Sequence, residues 1–180
     1  MAHERQLLRE EIVAQLKGPL NDRTAAGSRV TKSRQEPLTT DQLPAISVYS
    51  ADETIHESSA STAPRELKRM TRVVIVGWVV ASSAVDDALD ALALQIETAM
   101  DIDHTLDRNA SDSILEQTSF EQVLGGERPI GSVALVYSCS FYTQKRVALP
   151  TDLFATAGVT TNLGGTQAPA DDLEGIVTIP

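Results

Sequence analysis

The 180-residue chain is 42% hydrophobic and carries 15 Lys and Arg against 25 Asp and Glu, a net charge of −10. That size supports one domain with its own core and room for a tail. The acidic balance speaks against a general nucleic-acid binder, which needs clustered Lys and Arg against phosphate, and a lone cysteine, Cys139, closes neither an intramolecular disulfide nor a Cys-based zinc site. The charge is uneven: residues 1–80 hold 11 basic and 10 acidic side chains, residues 81–180 hold 4 and 15. Such a split predicts faces of opposite sign, as in a subunit stacked between unlike partners. No stretch reaches the roughly 18 apolar residues of a membrane helix. The opening "MAHERQLLREE" has no apolar core and is not expected to be a secretory signal; cytoplasmic synthesis is the default expectation.

His3 to Lys17 predicts a helix, with Leu8, Ile12 and Leu16 at i, i+4 and i+8 and Leu7 and Val13 widening the stripe. Gly18 suits its C-terminal cap, and Pro19 cannot continue it. Arg29 to Ser33 reads as a short strand before a turn-rich crossing, and Ala45 to Ser50 as a second strand. Ala51 to Pro64 is polar, small and aperiodic, and is expected to be a mobile loop. Glu66 to Ala81 is the longest strand. Val73, Ile75 and Val79 lie on one parity and Val74, Val76, Trp78 and Val80 on the other, so it should be central and covered on both faces. Its first half carries Arg65, Lys68, Arg69 and Arg72 and should project toward solvent or a partner. Ser83 to Met100 predicts the second helix, capped by Ser83, with Val85, Leu89, Leu92, Ile96 and Ala99 buried. An acidic loop, "DIDHTLDRNASD", leads to strands Ile114–Val123 and Ile130–Thr143, a hairpin turning at "LGGERP". In the second of these, Val133, Leu135, Tyr137, Cys139 and Phe141 share the apolar face. Pro150 to Pro180 reads as an extended arm, with "GIVTIP" as a strand that could add to another sheet edge.

The sequence holds no nucleophile elbow, phosphate loop, dinucleotide fingerprint or HExxH. "LGGER" and "LGGTQ" lack the Lys and the following helix that phosphate binding requires, and read as turns. His3, His56 and His104 are far apart in sequence. Asp101, Asp103 and Asp107 echo a calcium loop but lack its turn Gly and terminal Glu. Cys139 sits mid-strand on an apolar face, where packing is the expected role. No catalytic, cofactor or metal residue is therefore expected.

The order of the pieces is informative. An amphipathic helix precedes "RVTKSRQEPLTTDQLPAISVYSADE"; then follow "RELKRMTRVVIVGWV", the helix "DDALDALALQIETAM" and the hairpin "SILEQTSFEQV…GGERPIGSVALVYSCSFYT". Over residues 3–144 this resembles the tail terminator family (minor tail protein U-like, tail completion) of long-tailed bacteriophages. The resemblance is carried by Arg29–Val30, Ser33–Arg34, Leu43–Pro44–Ala45–Ile46 leading into "VYSADE", Ile96–Glu97 and the closing Tyr142.

The resemblance implies a non-enzymatic α+β subunit. The predicted elements give a mostly antiparallel or mixed sheet of four to five strands packed with two helices at 1–146, followed by an extended arm at 147–180 that lies outside the resemblance. It implies a hexameric ring that caps the tail tube, stops its polymerisation and joins the tail to the head connector, within the virion. The implied partners are further copies, the tail tube protein and the connector or stopper protein. Genomic double-stranded DNA would pass through the ring without specific binding, and no membrane is involved. Candidate partner-binding residues are Arg29, Lys32, Arg34, Asp52, Glu53, His56, Arg65, Lys68, Arg69, Arg72 and Tyr142. The alternatives are another neck subunit on the head side and, more remotely, a small metal-dependent enzyme using the acidic loop.

Overall fold

The computed structural model describes residues 3–57, 66–80, 84–123 and 130–144, with two short strands at 157–158 and 176–177. The chain divides into two units, Met1–Lys145 and Arg146–Pro180.

The first unit is an α+β body with two helices on a five-stranded mixed sheet. α1 spans Glu4–Lys17, with Leu8, Ile12, Gln15 and Leu16 buried. His3 is its N-cap, its Nδ1 accepting from the Arg5 backbone N–H at 3.2 Å. Gly18 ends the helix at φ 70°, a left-handed value that glycine adopts without a Cβ clash. A 3₁₀ turn, Gly27–Arg29, feeds β1 (Val30–Lys32), which pairs parallel with β2 (Ala45–Glu57). β2 pairs antiparallel with β3 (Glu66–Val80), and β3 with β5 (Ile130–Gln144). α2 (Val85–Met100) connects β3 to β4 (Asp112–Val123), the far edge strand. The sheet order is β1-β2-β3-β5-β4.

Three expectations are corrected. β2 does not end at Ser50: residues 51–57 continue as a paired strand, after a bulge between Ser50 and Glu53, so the first half of the expected mobile loop is ladder. Polar composition misled there, because Glu53, Ile55 and His56 lie opposite Thr71, Arg69 and Lys68 and their backbone groups are satisfied by β3. The residue preceding α2 is Ala84, at φ 51° and without a side-chain cap; Ser83 lies outside the described residues. In the second unit, Ile176–Val177 of "GIVTIP" pairs with Ala157–Gly158 of the same unit. Arg65, "LGGERP" up to Pro129 and the rest of the arm lie outside the described residues.

β3 is the central strand, as its two apolar parities predict, but the helices cover one face alone. Val73, Ile75 and Val79 point into the helix layer with Val133, Leu135, Tyr137, Cys139 and Phe141, and all are buried. Val74, Val76, Trp78 and Val80 are half-buried on the reverse face. There residues 34–43 bend back over Tyr49 and Trp78, leaving a cleft of about 350 Å³ between them. α1 packs on β1 and β2, and α2 on β3 and β5. Phe120 of β4 shares the helix-side face through its register partner Val133, yet is 51% exposed.

Candidate functional site

The sequence-chosen residues fall into two groups that the fold keeps apart. Arg29, Lys32 and Arg34 lie along the β1 edge. Arg29 donates to the carbonyls of Pro44 (2.8 Å) and Ala25 (3.4 Å). Lys32 pairs with Glu10 of α1, and this holds the Glu10 carboxyl below its ordinary range. Arg34 donates to Glu36 O at 3.0 Å and to Gln42 Oε1 at 2.9 Å, which fixes the bend of residues 34–43.

The second group occupies the end of the sheet where β2 and β3 run long. Glu53 is its centre. Its carboxylate, 8% exposed, meets Arg69, accepts from the Thr71 hydroxyl at 3.3 Å and pairs with Arg5 Nε of α1 at 3.3 Å. Arg69 also donates to Thr143 Oγ1 at 2.8 Å, tying β3 to β5. Arg72 reaches across the sheet between Asp52 (3.7 Å) and Glu116 (3.2 Å). Lys68 sits between His56 and Tyr142 in register, and Tyr142 is 50% exposed. Much of the basic half of β3 thus meets acidic partners on β2 and β4 of its own sheet, where the sequence has that end projecting toward solvent or a partner. Arg65 lies outside the described residues.

Sequence reasoning chose no residue of α2 as a candidate. Asp86, Asp90 and Glu97 line the flank of α2 turned away from α1. That orientation follows from helical spacing, because Gln95, on the opposite flank, accepts from the Ala25 N–H at 2.7 Å. Glu97 and the C-capping Asp101 are close enough to Tyr137 to add to the burial that pushes its phenol up. Beside this flank lies the exposed Phe120 of β4. The signal was present in the sequence: residues 84–123 hold ten Asp and Glu and a single Arg.

The acidic loop is organised by itself. The Asp103 carboxylate accepts from Thr105 Oγ1 (2.6 Å) and from the backbone N–H groups of Thr105 and Asp107 (2.8 Å each). Those hydrogen bonds, the Thr105 hydroxyl first, hold its carboxyl down at about 2. Its oxygens are thereby committed to the turn. Among the described residues no group of three or more His, Cys, Asp or Glu could hold a metal ion. His3, His56 and His104 sit on three different segments. Cys139 is fully buried, and desolvation pushes its thiol up to about 12, far from a reactive thiolate. No helix among the described residues is long and apolar enough to cross a membrane.

The class so defined is a two-layer α+β body whose charged and apolar surfaces lie on its edges and on the sheet face away from the helices. Among solved structures, the chain is similar to one from the virion of a native gene transfer agent particle, with 11% identity and a TM-score of 0.43 over 78% of this chain and 100% of that chain. A likeness at that level transfers no role. No family model matches the chain, and no curated protein matches its sequence.

Proposed function

We propose that this chain is a structural subunit of a phage-like virion, and more narrowly a tail terminator. In this reading, copies close into a ring, hexameric by the resemblance, on the head-proximal end of the tail tube. The ring stops tube polymerisation and offers the surface that joins the tail to the head connector. The body at residues 1–146 would build the ring, and residues 147–180 would reach a neighbour. DNA would pass through without specific binding, since an acidic wall and a polyanion repel each other.

The observation that carries the reading is the order of elements. The helix, the long β2–β3 hairpin, the second helix and the closing β4–β5 hairpin follow one another as the resemblance requires, and they assemble into one sheet. A central strand with apolar side chains on the face away from the helices supports an assembling subunit over a soluble monomer.

The test is electron microscopy of particles made without this chain. Overlong or unjoined tails are expected. Heads that leak DNA beside tails of normal length would move the chain to the head side of the neck. Particles of normal form would remove it from assembly altogether.

A further inference from the structure

Both helices end at one cleft. Lys17 and Gly18, which close α1, and Ile102 and Asp103, just past the end of α2, line a cavity of about 500 Å³. A helix C-terminus carries a partial charge of roughly −0.5, so the two ends together favour a cation between them. Glu11, Asp103 and Asp107 line the same cleft, against Lys17 and Arg23. Arg23 is spent on the chain itself, its Nη1 donating to Gln15 O at 2.9 Å. Among the described residues, the carboxylates of Glu11 and Asp107 and the Lys17 ammonium form no ion pair.

Gln15 shows what kind of group the cleft lacks. Its side chain is 5% exposed, and its Nε2 lies 2.9, 3.0 and 3.1 Å from the carbonyls of Ala99, Met100 and Asp103. Three carbonyls fix which end of the amide is nitrogen, since the flipped amide would set oxygen against oxygen. The other end, Oε1, has no hydrogen-bond partner among the described residues and is not sealed off from solvent, so it opens to the cleft that Gln15 lines. The unspent groups here are therefore mainly acceptors, and they call for a donor that carries positive charge. A metal ion is a poor match, because among the described residues no three His, Cys, Asp or Glu come close enough to hold one. A longer cation suits the space, since Pro19 and the 58% exposed Ile102 offer apolar wall to a methylene chain.

We propose that this cleft binds an aliphatic oligoamine. Its ammonium groups donate to Gln15 Oε1 and to the carboxylates of Glu11 and Asp107, and its methylenes lie along Pro19 and Ile102. Lys17 competes for the same acceptors, so the affinity is modest and rises when that charge is removed. The site does not depend on the terminator reading.

The test is isothermal titration calorimetry of the full chain with spermidine, run beside magnesium chloride at matched ionic strength. Saturable one-to-one uptake of spermidine is expected, with none for magnesium. The double variant Glu11→Gln/Asp107→Asn should weaken uptake about fivefold or more, the loss of two exposed ion pairs. It should keep its circular dichroism, because Asn tolerates the φ of 51° at position 107. Lys17→Gln should tighten binding. Asp90→Asn/Glu121→Gln removes the same charge from two exposed residues outside the cleft and should leave binding unchanged. In a nitrogen-15 spectrum the side-chain amide of Gln15 should shift as spermidine is added. Absence of saturable binding overturns the proposal. So does equal binding of magnesium, or an equal loss in the Asp90→Asn/Glu121→Gln control, since either would mean attraction to the net negative charge alone. A Gln15 amide that stays still while spermidine binds would also overturn it.

Discussion

Glu53 keeps 8% of its side chain exposed, yet it bears a charge. It is held there by Arg69, Arg5 and Thr71, three donors from β3 and α1. Removing it would leave Arg69, itself 21% exposed, without its close anion. Glu53→Ala is therefore expected to lower stability by about 1–3 kcal/mol, read from the urea midpoint. An unchanged midpoint would mean that solvent replaces the carboxylate. Asp103 gives a pH signature. Its folded carboxyl titrates at about 2 against an ordinary 3.8, so the hydrogen bonds favour the folded turn fully above the ordinary value. They are lost as pH falls through the folded value. Exchange of the Asp107 amide should accelerate over that window, and Asp103→Asn should show faster exchange already at neutral pH. At this scale the sequence was half legible. The core parity of β5, from Val133 to Phe141, was readable because side chains alternate strictly along a strand. Glu53 as a buried hub was not, because nothing local says that β2 continues past Ser50 and brings Glu53 opposite Thr71.

α2 sits on the sheet where two glycines make room for it. A Cβ on Gly131 would come within 2.6 Å of Val85 Cγ1 and 2.8 Å of Leu89 Cδ1; one on Gly77 would meet Leu92 Cδ2 at 2.7 Å. Val85 is branched at Cβ and stiff, and Leu89 is fully buried, so neither moves aside cheaply. Gly131→Ala is expected to cost about 1–3 kcal/mol in thermal or denaturant unfolding. A neutral result would show that the helix slides along the sheet instead. The turn after α2 is the other conspicuous element. Leu106, Asp107 and Arg108 all take positive φ (51°, 51° and 66°), a conformation that side chains with a Cβ usually avoid. The Asp103 carboxylate and the burial of Leu106 hold it. Both helices and the core strands were legible from their 3.6 and 2.0 periods. The length of β2 was not, since a polar strand paired over a long hairpin looks like a loop until its partner is known.

For the whole molecule, the net charge of −10 matters less than its placement. The sequence revealed the split between halves. The strand order β1-β2-β3-β5-β4, in which β4 and β5 exchange places relative to the sequence, puts the two halves on opposite sides of the sheet, while the end of α1 and the turn after α2 bring Lys17 and Arg23 beside Asp103 and Asp107. Imaging of particles lacking the chain belongs to this scale.

That same exchange of places bears on how the chain is made. β3 needs β5 on its second edge, with Val73 opposite Tyr137, and the intervening segment contains α2 and all of β4. At about 5–20 residues per second, synthesis leaves the central strand unpaired on that side for several seconds. During that interval an apolar, Val-rich edge is open to any other nascent strand. Heavy overexpression multiplies the encounters, so soluble yield should rise when translation is slowed by cooling or when a holdase chaperone is supplied.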